Sequence, residues 1–297
     1  MNDVIIIGGS FAGLAAALQL GRARRKVVVL DTCRPRNRFA GHSHGVLGHD
    51  HKPPLDILDE ARKQLARYPT IRLVNAGAES VSGAIDDFCV VTDDNEQLKA
   101  RRLILSYGVV DKMPDVPGFA ENWGTSVIPC PYCDGFEVAD QHWGLVWSGP
   151  QSMNQVRLFH DWTDSLTVFG DGHDIPPDIR ADLAGRQVAL VDGRITEIER
   201  RGSHGATIKI DTGPDVAVNV LFAHPRTRPS ASLHDALGLA TINTPTGIAL
   251  KTDERRETSM PGIYAAGDLA NPGIPSVTTA TWQGVMAGIF AQQSMLT

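Results

Sequence analysis

Residues 3–13 read DVIIIGGSFAG, and this stretch decides the fold. The run Asp3–Ile7 is rich in Val and Ile, which predicts a buried strand, and an alanine- and leucine-rich segment predicts a helix that continues to Leu20. Between them Gly8, Gly13 and Ser10, the last replacing the middle glycine of G-x-G-x-x-G, leave little bulk. Strand, tight turn and helix in this order predict a dinucleotide-binding unit, because a pyrophosphate needs close approach to backbone N–H groups. A structural turn without a phosphate is the alternative.

A second predicted strand, Lys26–Leu30, ends at Asp31. An acid about 20 residues after the first glycine is the group that accepts hydrogen bonds from a ribose hydroxyl in such units. The order of strand, turn, helix, strand and acid therefore strengthens the dinucleotide interpretation.

The far end of the chain supplies a matching half. Gly262–Asp268 predicts a buried strand that ends in a glycine turn with a carboxylate, and a helix follows from about Ser276 to Gln292. An acid there can accept hydrogen bonds from the hydroxyl groups of a polyol chain. Because FAD has a ribityl chain beside its pyrophosphate, this turn favours FAD over a nicotinamide cofactor. The alternative is an ordinary strand-to-helix turn. Residues 103–108 predict another strand that closes on a small-residue turn at Gly108.

Two cysteines lie mid-chain in the segment CPYCDG, residues 130–135. Two residues between thiols suit a reversible disulfide at the head of a helix, whose dipole would lower a thiol pKa. Asp134 follows Cys133 directly and is a candidate proton donor and acceptor for the leaving thiolate. Zinc would need a second ligand pair, and Cys33 and Cys89 stand far apart. We interpret these last two as buried small hydrophobic residues.

The 297 residues suffice for two modest domains. A net charge of −6 argues against nucleic acid or an anionic membrane as partner, so we expect a small molecule or a protein. The sequence has no run of 18 apolar residues and starts with a strand pattern rather than a signal peptide, so we expect a cytoplasmic location. Few cysteines fit a reducing compartment, where a close pair indicates chemistry.

With these motifs, the chain resembles the low-molecular-weight thioredoxin reductases and the related dithiol oxidases that close disulfides in holomycin-like and gliotoxin-like natural products. The resemblance implies an α/β fold of two Rossmann-like, three-layer dinucleotide-binding domains and a homodimer. It implies a discontinuous FAD domain of residues 1–114 and 226–297 around a central NAD(P)H-like domain, 115–225. It further implies that Cys133 contacts the flavin, Cys130 meets the substrate and Asp134 is the acid/base. The expected cofactor-binding residues are Gly8, Ser10, Phe11, Ala12, Gly13, Asp31, Arg36, Asn37, His44, Gly108, Gly267, Asp268, Ser276 and Val277.

The histidine-rich stretch that follows the first acidic turn resembles the dithiol-oxidase branch more than ordinary thioredoxin reductase. Its segments are Pro35–Arg38 and Gly41–Gly45. The four histidines between His42 and His51 lack a fixed helical spacing, so we expect solvent or cofactor contacts and no metal. Asp134 instead favours ordinary thioredoxin reductase, because the dithiol-oxidase branch typically has histidine at this position.

Two departures weaken the expected NADPH site. The central turn carries Ser148, Pro150 and Met153 where small residues belong, and proline removes a backbone donor. Gly170-Asp171-Gly172 stands where the family has a basic cluster, and an acid repels a 2′-phosphate. The sequence predicts weak or absent NADPH binding, with a diverged but working site as the alternative.

Near the last helix, Pro275-Ser276-Val277 replaces the family's Arg-Gln-Ala. This change leaves backbone N–H groups that can contact a flavin.

Three functions follow as hypotheses. The first is a thioredoxin-reductase-like enzyme that acts on a thioredoxin-like protein or a small dithiol or disulfide and takes electrons from a ferredoxin-type donor or another thiol. The second is an oxygen-dependent dithiol oxidase. The third is a flavin-binding sensor without turnover, which the intact pair at Cys130 and Cys133 disfavours.

Overall fold

A computed structural model describes residues 1–202, 205–271 and 273–296. The chain folds into two compact units, each formed by separate segments. The first unit contains Met1–Arg38, Pro53–Lys112 and Arg226–Thr297, and the second contains Phe39–Lys52 and Met113–Pro225.

The first unit is built on a seven-stranded sheet with parallel strands at its centre. Its strands are β1 (Asn2–Ile7), β2 (Val27–Leu30), β3 (Ile71–Val74), β4 (Ala78–Ala84), β5 (Asp87–Thr92), β6 (Gln97–Leu105) and β19 (Ile263–Ala265). The order is β3-β2-β1-β6-β5-β4, and β19 pairs with β6. β5 pairs antiparallel with both β4 and β6, and the other pairs are parallel. Alternate residues of β1 enter different cores, since Val4 and Ile6 belong to one cluster and Ile5 and Ile7 to another.

Helices cover one face of this sheet. They are α1 (Phe11–Arg22), α2 (Pro54–Leu65) and α7 (Val277–Gln293), whereas the short α6 (Leu233–Ala236) packs in the core on the opposite face. The helices α1 and α7 touch backbone to backbone, because a Cβ on Gly284 would overlap the carbonyl oxygen of Ala12, and one on Gly288 would lie 2.8 Å from that of Ala16. A smaller sheet in the order β17-β18-β16-β7 completes the unit. Its strands are β7 (Val109–Asp111), β16 (Thr227–Pro229), β17 (Thr241–Thr244) and β18 (Gly247–Leu250).

The second unit has a five-stranded parallel sheet in the order β11-β10-β9-β15-β8 and a three-stranded antiparallel sheet, β12-β13-β14. The parallel strands are β8 (Val127–Ile128), β9 (Trp143–Val146), β10 (Leu166–Phe169), β11 (Ala189–Val191) and β15 (Val220–Phe222). The antiparallel strands are β12 (Ile195–Arg201), β13 (Gly205–Ile210) and β14 (Val216–Val218). The helices are α3 (Pro131–Asp134), α4 (Ser152–Phe159) and α5 (Pro177–Gly185). Helices α4 and α5 share one core with the parallel sheet, and the antiparallel sheet shares another.

The predicted α/β class with two Rossmann-like units is confirmed. The division at 114/115 and 225/226 stays a prediction; the units of the structure change at Lys112/Met113 and Pro225/Arg226. The segment Phe39–Lys52, which we predicted within the FAD domain, belongs to the second unit. Within the described residues no helix is both long and apolar enough to cross a membrane.

Candidate active site

The turn between β1 and α1 has no room for a side chain at Gly8 or Gly13. Gly8 has a φ of +106°, and a Cβ there would collide with the backbone of Ser106, whose hydroxyl donates to the Gly8 carbonyl at 2.8 Å. A Cβ on Gly13 would overlap that same Gly8 carbonyl oxygen. Ser10 is the N-cap of α1, and its side chain makes no cap hydrogen bond. The first N–H groups of a 12-residue helix therefore have no side-chain cap, and they fit an anionic pyrophosphate.

Asp31 lies directly beside this turn. A Cβ on Gly9 would sit 2.6 Å from the Asp31 Cβ, so the turn and the end of β2 are in close contact. The carboxylate accepts hydrogen bonds from the Cys33 N–H and from Arg62 of α2, both at 3.1 Å. Asp31 is thus held at the position predicted for the ribose acceptor.

Asp268, the acid of the C-terminal turn, is held by an arginine that is distant in sequence. Arg36 Nη1 donates to Asp268 Oδ2 at 2.8 Å, and Arg36 Nε donates to Asp111 Oδ2 at 3.0 Å. Burial lowers the pKa of Arg36, but the hydrogen bonds and charges of the two carboxylates outweigh it and raise that pKa. The N–H of Gly267 donates to the buried Gln283 Oε1 at 2.9 Å, which fixes the turn onto α7.

The remaining predicted cofactor residues of the first unit lie around the same strand ends. Gly108 follows β6 with a φ of +71°. Ser276 is the N-cap of α7 and accepts the Thr279 N–H at 3.0 Å, and Val277 begins the helix. Asn37 lies in a 3₁₀ turn, Arg36–Phe39. Parallel neighbours β1, β2, β6 and β19 end at one sheet edge, so these turns converge as ligand sites in open α/β sheets do.

Sequence reasoning missed several residues of this group. Arg62, Ser106, Asp111 and Gln283 all bond to predicted site residues. Asp111 and Asp268 lie 75 and 232 positions from Arg36. No local pattern in one sequence signals pairs at such separations.

In the second unit, Cys130 is the N-cap of α3. The pair thus lies at the head of a helix, as predicted, but that helix has only four residues, so the contribution of its dipole to the thiol pKa is small. The pKa of Cys130 is nevertheless lowered to about 7, first because the Cys133 thiol donates a hydrogen bond to its sulfur and then because the N–H groups of Cys133 and Tyr132 also donate. Burial and the charge of Asp134 oppose this. Of the two thiols, Cys130 is therefore the one that ionises more readily near neutral pH.

Cys133 and Asp134 retain protons more strongly than ordinary groups of their type. The pKa of Cys133 is raised, because its thiol proton is held by Cys130 and because the group is buried. The pKa of Asp134 is raised to about 6, chiefly by burial; the charge of His44 opposes this shift, and the charge of Glu137 adds to it. A carboxyl that titrates near pH 6 beside a thiolate can both give and take a proton near neutrality.

His44 was predicted among the flavin-binding residues, but the structure groups it with the redox pair. It belongs to the segment Phe39–Lys52 of the second unit, and its Nε2 lies 3.7 Å from the Glu137 carboxylate. Its role at a flavin stays a prediction.

The central glycine turn, which follows β9, is closed by hydrogen bonds among its own residues and the first residue of α4. The Ser148 N–H donates to Ser152 Oγ at 3.0 Å, and the Gln151 amide donates to the Ser148 carbonyl at 2.6 Å. Met153 is 5% exposed and packs in the core of the unit. The turn donor that would face a phosphate is therefore engaged by a side chain of α4.

The second departure in the expected NADPH site, at Gly170-Asp171-Gly172, has a basic side chain next to its acid. Asp171 accepts the Ile195 N–H at 3.0 Å, so its carboxylate has a structural partner. The Arg194 side chain lies over Gly172, where a Cβ would come within 2.8 Å of the Arg194 Cγ. A basic group missed by sequence reasoning thus accompanies the predicted acid.

The interpretation of Cys33 as a buried hydrophobic residue was wrong. Cys33 is exposed, in a turn where its φ is +57°, and Cys89 is half-buried. Burial, although partial, and the neighbouring Asp31 raise the pKa of the Cys33 thiol, which disfavours its thiolate.

Comparison with known proteins agrees with this geometry. The family described as pyridine nucleotide-disulphide oxidoreductase matches residues 2–284. "Thioredoxin reductase sirT" of Leptosphaeria maculans is 34% identical over 96% of this chain and 92% of its own, and "Thioredoxin reductase tcpT" of Claviceps purpurea is 30% identical over 99% and 94%.

Solved structures extend the comparison to the whole fold. An oxidoreductase from Agrobacterium tumefaciens is 40% identical, with a TM-score of 0.94 over 99% of this chain and 98% of its own. HlmI is 30% identical, with a TM-score of 0.90 over 99% and 92%. The chain belongs to the pyridine nucleotide-disulphide oxidoreductase family, as a flavin-dependent disulfide oxidoreductase that resembles thioredoxin reductase.

Proposed function

We propose that Cys130 is the interchange thiol, that Cys133 is the sulfur that exchanges electrons with the flavin, and that Asp134 moves the protons. The observation that carries this assignment is the asymmetry of the pair: the pKa of Cys130 is about 7, whereas that of Cys133 is raised. Attack on a substrate sulfur needs a thiolate, and Cys130 supplies it.

In the direction of substrate reduction, the cysteine pair reduces a substrate disulfide by two successive thiol–disulfide exchanges. The Cys130 thiolate attacks one sulfur of a substrate disulfide, the substrate S–S bond breaks, and the departing sulfur takes a proton from the Asp134 carboxyl. Cys133 then loses its proton to Asp134 and attacks the Cys130 sulfur. The enzyme disulfide closes, and the second substrate sulfur leaves and is protonated. Two electrons have passed from the cysteine pair to the substrate. One of the two protons came from the Asp134 carboxyl, which regains a proton from solvent, and the other came from Cys133 by way of Asp134.

The thioredoxin reductases that this chain resembles depend on FAD, and the residues of the first unit fit this cofactor. The cradle of Gly8 and Gly13 and the uncapped start of α1 suit the pyrophosphate, Asp31 suits the ribose, and Asp268, held by Arg36, suits the ribityl chain. The bound flavin supplies a two-electron reservoir that reduces or oxidises the cysteine pair.

Single-cysteine variants test the assignment of the thiols. In the reduced holoenzyme at pH 7, Cys133→Ser is expected to form a stable mixed disulfide at Cys130 with an aromatic disulfide such as dithiobis(nitrobenzoate). Cys130→Ser is expected to label Cys133 several-fold more slowly. Peptide mapping separates these sites from the exposed Cys33. Faster labelling at Cys133 than at Cys130 would contradict the proposal.

We further propose that NADPH binds weakly, because the Ser148 N–H is engaged by Ser152 and the bulky Met153 is buried in the core beside the turn. A ferredoxin-type protein or another thiol then supplies the electrons. Anaerobic mixing with NADPH should leave the yellow flavin unbleached, and rapid bleaching would overturn this part of the proposal. The sensor hypothesis makes a separate prediction, that Cys133→Ser leaves thiol-dependent flavin reduction unchanged.

The same self-bonded turn favours a second candidate, a dithiol oxidase that needs no nicotinamide. In that direction a substrate dithiol is oxidised to a disulfide while oxygen is reduced to hydrogen peroxide. Peroxide release on adding a dithiol under air would support the oxidase, and reduction of a disulfide without peroxide would support the first candidate. A thioredoxin-like protein or small dithiol substrate, a homodimer and a cytoplasmic location belong to the proposal as well.

A further inference from the structure

Three side chains of the segment Phe39–Lys52 point their donor atoms at one another. The ligand atoms of His44, Asp50 and His51 all lie within 4.8 Å of one another. His44 Nδ1 is 3.9 Å from Asp50 Oδ1, and His51 Nε2 is 3.4 Å from Asp50 Oδ2. The two imidazole rings meet edge to face, with centroids 4.6 Å apart. Tetrahedral zinc with bonds of about 2.0–2.1 Å places its ligand atoms about 3.3 Å apart, so the group is close to a coordinating arrangement.

The remaining adjustment falls on side chains that are free to make it. Asp50 and His51 are 53% and 67% exposed, whereas His44 is 14% exposed and fixed by its surroundings. Rotation of the two exposed side chains can close the gap without moving the backbone. Their exposure also gives an ion a path from solvent and leaves room for a water ligand.

A second set of contacts orients the ligands. The Glu137 carboxylate lies 3.7 Å from His44 Nε2, the ring nitrogen opposite the one that faces Asp50. This separation is beyond hydrogen-bond distance, but the negative charge favours a proton on Nε2 and leaves Nδ1 as an electron-pair donor, and carboxylates commonly lie behind metal-bound histidines. The Gly45 N–H donates to Asp50 Oδ1 at 2.8 Å, so this carboxylate already faces a donor of the same loop.

Backbone conformation also serves the group. His51 has a φ of +61°, a left-handed conformation that only a few per cent of non-glycine residues adopt. In this conformation His51 contacts the Asp50 carboxylate, and its ring meets the His44 ring edge to face. An observed backbone outlier is a reason to look for a functional constraint.

The charges and donor types select the class of ion. Two carboxylates, Asp50 and Glu137, face two imidazoles, so a divalent cation would neutralise the cluster. Imidazole nitrogen suits zinc, nickel and copper, whereas magnesium and calcium prefer all-oxygen sites. The geometry points to a binding site for a divalent transition-metal ion of the zinc class, formed by His44, Asp50 and His51 with Glu137 behind His44. This differs from the solvent or cofactor contacts that we expected for these histidines, and it does not rest on the proposed function.

Calorimetric titration of the oxidised holoenzyme with zinc chloride tests the site. Closing the Cys130–Cys133 disulfide beforehand removes the vicinal thiols as competing ligands, and Cys33 is common to every variant. We expect one zinc ion per chain at this site and no comparable heat from magnesium or calcium. His51→Ala and Asp50→Asn should each weaken zinc binding at least tenfold, and Glu137→Gln by roughly 10- to 100-fold.

His42→Ala is the matched control, because His42 belongs to the same loop but not to the ligand group. It should bind zinc as the unmodified enzyme does. Thermal unfolding of each variant without metal checks that it is folded. The proposal fails if the unmodified enzyme binds no zinc, if His51→Ala binds as tightly as the unmodified enzyme, or if His42→Ala loses as much affinity as His51→Ala.

Discussion

Removing the thiol of Cys133 should raise the pKa of Cys130. The hydrogen bond from Cys133 is the largest cause of the lowered Cys130 pKa, ahead of the two backbone N–H groups. Cys133→Ala removes this donor while the backbone donors stay. Cys133→Ser keeps a hydroxyl donor of similar size and is the matched control. We therefore expect the pKa of Cys130 to rise from about 7 towards the ordinary value of 9.0 in the alanine variant and less in the serine variant.

The size of the effect follows from the two pKa values. At pH 7 a thiol with a pKa of about 7 is about half ionised, and one with a pKa of 9.0 is about 1% ionised, a ratio of about 50. The more acidic thiolate is also less nucleophilic, by about eightfold for two pKa units at a Brønsted slope of 0.4–0.5. The net advantage of Cys130 in alkylation at pH 7 is therefore about sixfold, and Cys133→Ala should remove most of it.

The assay is the rate of iodoacetamide alkylation of the reduced protein between pH 5 and pH 10, followed by mass spectrometry of the Cys130 peptide. The exposed Cys33 provides an internal reference in the same sample. The reasoning is refuted if the midpoint for Cys130 in the unmodified enzyme lies near 9, or if Cys133→Ala leaves that midpoint where it was.

Three further predictions concern other parts of the molecule. Arg36→Ala leaves the carboxylates of Asp111 and Asp268 without their shared cation, so the purified protein should retain less flavin, visible as a lower ratio of absorbance at 450 nm to that at 280 nm, and Arg36→Lys should lose less. Glu137→Gln removes a charge that raises the pKa of Asp134, so the acid limb of the pH profile for thiol exchange should move below pH 6; an unchanged or upward-shifted limb would contradict the assigned cause. Gly284→Ala should destabilise the protein by about 1–3 kcal/mol in denaturant unfolding, because the new methyl meets the Ala12 carbonyl, whereas Gly185→Ala, which meets open space, should be neutral or slightly stabilising.

Elements with strong local patterns could be predicted from the sequence. The strands β1 and β2 end where they were predicted to end, and each differs from its prediction by one residue at its start. The glycine turn at Gly8 was predictable because a positive φ and a close backbone approach admit no other residue without strain. These features depend on neighbours in the chain, so one sequence is enough to read them.

Features that depend on distant contacts could not be predicted in this way. The length of α3 was not encoded in the Cys130–Cys133 spacing, since the pattern is compatible with a short or a long helix. The placement of Phe39–Lys52 in the second unit depends on contacts with residues such as Glu137. The ion pairs of Arg36 join three segments that no periodicity connects. In each case the missing information is tertiary.

The strands β7 and β16 bring the two ends of residues 113–225 together, so this stretch forms an insertion that we call a cassette. They pair antiparallel, and beside them the Lys112 N–H donates to the Arg226 carbonyl at 2.7 Å, so the chain departs and returns at adjacent points. A long stretch whose ends are neighbours can be exchanged for another without stretching its host. Evolution and protein engineers can thus replace this cassette through one pair of splice points, but Phe39–Lys52 would then lose the residues it packs against.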